Sequence, residues 1–152
     1  MMTLVANVTK HATKPLDVYV RVSRVGGREG DSFLSPGLQE ERCMAMIAAR
    51  GFLAGEVIRD PDVGGGTMDR PGLNRALDRV RDGTSGGIVV ARVDRFARTL
   101  RGALDVLEEL ERAGGVFIEC DGQGWDTSTS MGRFGRDLVL RIGQLYREQR
   151  WP

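Results

Sequence analysis

The chain has 152 residues, 41% of them hydrophobic, enough for one compact α/β domain and too few for a second full domain. Lys and Arg total 22 against 21 Asp and Glu, a formal net charge of +1, so bulk charge neither points to nucleic acid nor excludes it. There is no apolar run of 18 residues, which excludes an ordinary membrane-spanning helix.

Residues 1–16 lack the apolar core of a signal peptide and read as a flexible N-terminal arm of a cytoplasmic protein. Asp17 to Ser23, DVYVRVS, is a valine-rich opening strand, followed by a glycine-rich polar loop through GGREG to Pro36. Leu38 to Arg50 has helical spacing of apolar residues at Leu38, Met44, Ile47 and Ala48, closed by Gly51 as a C-terminal glycine. Phe52 to Arg59 is a second strand, and DPDVGGGTM at 60–68 is a second glycine loop. A helix over Pro71 to Arg81 follows, capped by Asp69, with Leu73, Leu77 and Val80 on one face.

Gly86 to Val93 carries an Ile-Val-Val run suited to a central parallel strand buried on both faces. Leu100 to Ala113 is amphipathic along Leu104, Leu107 and Leu110 and ends at Gly114-Gly115; Val116 to Cys120 is the fourth strand. This β-α alternation predicts a mostly parallel sheet flanked by helices on both faces. A last helix of about five turns, 130–149, repeats Met131, Phe134, Leu138, Ile142 and Leu145 every three or four residues, widened by Val139 and Leu140. So broad a stripe suits packing on the sheet or a subunit interface, and the interface is the reading preferred here.

Open parallel sheets bind ligands at the carboxyl ends of their strands. There the first strand ends in Arg21-Val22-Ser23, with Arg21 and Ser23 on one face by alternation. The central strand runs into Asp94-Arg95-Phe96-Ala97-Arg98, and the second glycine loop ends in Asp69-Arg70. One hydroxyl and four guanidinium groups at one sheet end suit nucleophilic attack on a phosphodiester, whose non-bridging oxygens gain charge in the transition state. The sole histidine, His11, lies in the N-terminal arm, and no Asp/Glu/His cluster has metal-site spacing, so neither a His-activated serine nor a two-metal nuclease mechanism is expected. Cys43 and Cys120 fit no disulfide framework and read as buried thiols of a reducing compartment. Ser23 alone also fits a plain loop residue, an arginine at a helix start a solvated charge, and Asp94 a helix cap.

Several motifs in order resemble the resolvase/invertase superfamily, the serine recombinases, across about 17–150. They are YVRVS at 19–23, Gln39 in SPGLQEER, DRPGL at 69–73, VDRFAR at 93–98 and DTSTSMGRF at 126–134. The resemblance departs at Ser130, where the family usually has proline, and at Tyr146, where an acidic residue usually precedes the arginine. It implies a resolvase-like catalytic domain with Ser23 as nucleophile, Arg21, Arg70, Arg95 and Arg98 around the scissile phosphate, and Gln39 and Asp94 as positioning groups. It further implies a 5′-phosphoserine intermediate, no cofactor and no ATP. The partners implied are double-stranded DNA attachment sites, bound weakly and without useful specificity by this region alone, and further copies of the chain, forming a dimer and a synaptic tetramer through the 130–149 helix. The long loop after Ser23 resembles the large serine integrases more than the short resolvases and invertases. The rival readings are a short resolvase or invertase, a non-catalytic assembly module with the same fold, and an unrelated flavodoxin-like or small phosphatase domain.

Overall fold

A computed structural model describes residues 14–22, 35–61, 70–92, 100–120 and 126–148. Four strands, β1 (Leu16–Val22), β2 (Ala54–Pro61), β3 (Gly87–Val90) and β4 (Val116–Glu119), form one sheet in the order β2-β1-β3-β4. Every pairing is parallel. The helices are α1 (Pro36–Ala49), α2 (Pro71–Arg81), α3 (Leu100–Ala113) and α4 (Ser130–Glu148). The expected alternation is therefore present, with β2 two residues later than expected and β3 confined to its fully buried centre. Among the described residues no helix is long and apolar enough to cross a membrane.

The sheet has a core on each face, because alternate strand residues point to opposite sides. Tyr19, Ile58, Ile88, Val90 and Phe117 pack with Leu73, Leu77 and Val80 of α2 and Leu107 and Leu110 of α3. Leu16, Val18, Val20, Val89 and Ile118 pack instead on Cys43 and Ile47 of α1. Cys43 is buried as expected, whereas Cys120 is only half-buried.

The inner face of α1 differs from the expected one. Gln39, Cys43 and Ile47 are buried, whereas Leu38 and Met44 are 45% and 37% exposed and Ala48 is exposed too. A glutamine takes the inward position because its amide has a backbone carbonyl partner, described below. Ser35 caps α1 by accepting the Leu38 amide at 3.2 Å. At the other end Gly51, at φ 74°, lets the amides of Gly51 and Phe52 return to the carbonyls of Ala48 and Ile47.

The start of α2 is held across space. Its N-cap position is Arg70, whose side chain makes no cap hydrogen bond, and the amides of Gly72 and Leu73 are taken by Asp60 from β2; the expected cap, Asp69, lies outside the described residues. The stripe Leu73, Leu77 and Val80 is buried as expected. In α4, Leu140 packs on the core of α2 and α3, while Phe134 and Leu138 are 65% and 50% exposed. The side chains of Met131, Ile142 and Leu145 lie outside the described residues.

Candidate active site

The last described residue of β1, Val22, directly precedes Ser23. Asp17 and Tyr19 point to the face covered by α2 and α3, and alternation places Arg21 on that same face. Arg21 lies opposite Asp60 in the β1–β2 register. Its carbonyl accepts a hydrogen bond from Gln39 Nε2 at 3.2 Å. Gln39 is 2% exposed, so its amide ties the start of α1 to the end of β1 from inside the protein. A buried amide needs such a partner, since an unsatisfied one costs about 1–3 kcal/mol.

Asp60, also 2% exposed, organises the neighbouring corner. Its Oδ1 accepts the Gly72 amide at 2.7 Å, and its Oδ2 accepts the Leu73 amide at 2.9 Å and the Tyr19 hydroxyl at 2.8 Å. A carboxylate is favoured there by the unsatisfied amides and the positive end of the helix dipole. Pro71, at the first helical position, has no amide hydrogen to satisfy. Gly72 is required by the close approach: a Cβ there would stand 2.6 Å from Asp60 Oδ1. The Arg70 guanidinium, one residue before α2, lies 5.5 Å from the centre of the Tyr19 ring. Burial, helped by the hydrogen bond to Asp60, raises the Tyr19 phenol far above its ordinary value against the opposing pull of Arg70, so it stays a neutral donor.

Three of the expected site residues, Arg21, Gln39 and Arg70, are thus gathered around the carboxyl ends of β1 and β2. Ser23, Asp94, Arg95 and Arg98 lie outside the described residues. Because β1 and β3 are parallel, with Val18 opposite Val89, the chain leaves both strands at this same end on its way to Ser23 and to Asp94. Tyr19, Asp60 and Gly72 were not anticipated. Asp60 carried a readable signal, since it closes a strand at the sheet end already singled out. Chemically, the corner holds two guanidinium-bearing positions on rigid elements, which suits the binding of a phosphate dianion or diester.

The family model described as "Resolvase, N terminal domain" matches residues 17–150. The serine recombinase gin of Escherichia phage Mu is 33% identical over 93 residues, 61% of this chain and 47% of that protein. The DNA-invertase hin of Salmonella typhimurium is 33% identical over 86 residues, 57% of this chain and 44% of that protein. The chain therefore spans about half the length of the curated relatives it matches. The crystal structure of the N-terminal catalytic domain of TP901-1 integrase superposes with a TM-score of 0.75 at 22% identity, covering 91% of this chain and 100% of that one, which is a likeness of fold.

Proposed function

The chain belongs to the resolvase N-terminal domain family, the serine recombinases, and from that membership we propose that residues 17–150 are a catalytic domain that cuts and rejoins DNA at specific sites. The observation that carries the reading is the convergence of Arg21, Gln39 and Arg70 on the end of the strand that leads into Ser23.

Ser23 Oγ attacks a backbone phosphorus. The Ser23 hydroxyl gives up its proton as the new Oγ–P ester joins the protein to the 5′ side of the break, and the 3′ oxygen leaves and takes up a proton, so none is gained or lost overall. Arg21, Arg70, Arg95 and Arg98 hold the phosphate and stabilise charge on its non-bridging oxygens. Gln39 fixes the backbone just before Ser23, and Asp94 positions the arginines that follow it. The 3′ hydroxyl of an exchanged strand reverses the ester, so bond energy is conserved and neither ATP nor a metal is needed.

The DNA partner is a pair of attachment sites, with weak and nonspecific binding by this region alone. Phe134 and Leu138, exposed one turn apart on α4, suit self-association through that helix into a dimer and then a synaptic tetramer. The setting is the cytoplasm of a bacterium, acting for a phage or other mobile element. The long segment between Ser23 and α1 favours a large integrase. The names of the invertase relatives favour the second reading, a short invertase or resolvase with the same chemistry.

The test is recombination by the protein of a plasmid carrying two sites, in EDTA without ATP. Recombinant product is expected. A strict requirement for a divalent metal or for ATP contradicts the mechanism.

A further inference from the structure

The lead-in to α4, residues 126–129, is fastened from three directions. Thr127, 3% exposed, donates its amide to the Phe117 carbonyl at 2.9 Å and accepts the Phe117 amide on Oγ1 at 2.7 Å, which pins the segment along β4. Thr129 Oγ1 caps α4 by accepting the Gly132 amide at 3.0 Å, and the Arg133 guanidinium reaches back to the carbonyls of Thr127 and Ser128. The third fastening comes from the far end of α1. Arg50 donates from one Nη to Asp126 Oδ2 at 2.5 Å and from the other to Ser128 Oγ at 3.0 Å. Its guanidinium lies 5.0 Å from the centre of the Phe52 ring, so it is held by the turn that ends α1. Asp126 in turn accepts the Ser128 amide and hydroxyl on Oδ1.

The two ends of α1 therefore hold different things. Gln39, in its first turn, holds the Arg21 carbonyl two residues before Ser23 in the chain, and Arg50, at its C-cap, holds the root of α4. Along the helix axis they stand roughly 16 Å apart. We infer that Arg50 is a positioning residue for α4, and that α1 acts as a strut joining the strand that leads into Ser23 to the root of the helix proposed to carry subunit contacts. The functional half of this statement rests on the proposed recombinase reading; the positioning half does not.

Hydrogen exchange on the full chain tests it. Arg50→Ala is expected to speed exchange of the Gly132 and Arg133 amides roughly three- to tenfold, while β1 and α2 exchange as in the parent. Arg50→Lys restores part of the protection, because an ammonium keeps the charge without the fork that reaches both Asp126 and Ser128. Arg112→Ala, which removes an exposed pair with Glu108 on α3, leaves the α4 root unchanged. Unchanged exchange in Arg50→Ala, or exchange rising equally across β1 and α2, overturns the proposal. Covalent adduct yield on DNA, read on the same variants, is expected to fall several-fold in Arg50→Ala with the adduct still on Ser23. An unaltered yield removes the strut from function. If the parent forms no adduct on Ser23, the recombinase reading fails while the exchange result still decides the positioning role.

Discussion

Among the described residues each end of the sheet buries an aspartate, and the two are used differently. At the amino end Asp17, fully buried, takes the Arg79 guanidinium in two hydrogen bonds, Nε at 2.7 Å and Nη2 at 3.1 Å, and accepts the Glu56 amide at 2.9 Å. Arg79 also pairs with Glu56, which pairs in turn with Arg75. The hydrogen bond to Asp17 raises the Arg79 guanidinium above its ordinary value. At the carboxyl end Asp60 binds two helix amides and a phenol, and Arg70 lies over the ring of that phenol. Similar residues are thus arranged differently: at one end guanidinium and carboxylate close on each other, while at the other the carboxylate is satisfied by the backbone and fixes the helix start from which an arginine projects, the arrangement the proposed site would use.

Substitutions sharpen this contrast. The largest effect is expected from Arg70→Ala: a loss of adduct formation of about a hundredfold or more in single-turnover cleavage, with thermal stability close to the parent's. A collapse of stability there makes the carboxyl end structural like the other. Asp17→Ala strands Arg79 beside a half-exposed Glu56 and is expected to cost about 3–5 kcal/mol in urea unfolding, with cleavage per folded molecule unchanged. Asp60→Asn keeps the volume but loses charge at the helix start, with an expected cost of about 1–3 kcal/mol together with reduced cleavage. Reduced stability with full cleavage breaks the link from Asp60 to Arg70.

The smallest effect belongs to Tyr19→Phe, which removes one buried hydrogen bond worth about 0.5–1.5 kcal/mol. This variant also tests the raised phenol. Below about pH 10 the phenol is protonated in both folded and unfolded chains, and its contribution is complete. Above that pH the unfolded chain ionises first, so stability falls as pH rises toward the folded value. The parent should show this alkaline loss, and Tyr19→Phe should show less of it in urea titrations from pH 8 to 11.

Much of the architecture was legible because buried strands and amphipathic helices leave apolar patterns. Ile88 to Val90 and the stripe of Leu104, Leu107 and Leu110 are of this kind, and all are buried. The inner face of α1 was not legible, because apolar spacing cannot register a glutamine that turns inward to meet a carbonyl 18 residues away. The part of Asp60 at the start of α2 was not legible for a related reason: it reaches the helix through space from the end of β2. Of the expected site residues, Arg21, Gln39 and Arg70 came from motifs and lie at one sheet end, while Tyr19 was not singled out. It is core by burial, and its hydroxyl and ring together join Asp60 to Arg70.

The central claim is tested most directly by trapping the covalent intermediate. The protein is incubated with attachment-site DNA modified at its centre to prevent religation, and the digested adduct is located by mass spectrometry. The account predicts a 5′-phosphate ester on Ser23 that is absent from Ser23→Ala. An ester on another residue, or a link through a 3′ phosphate, contradicts it.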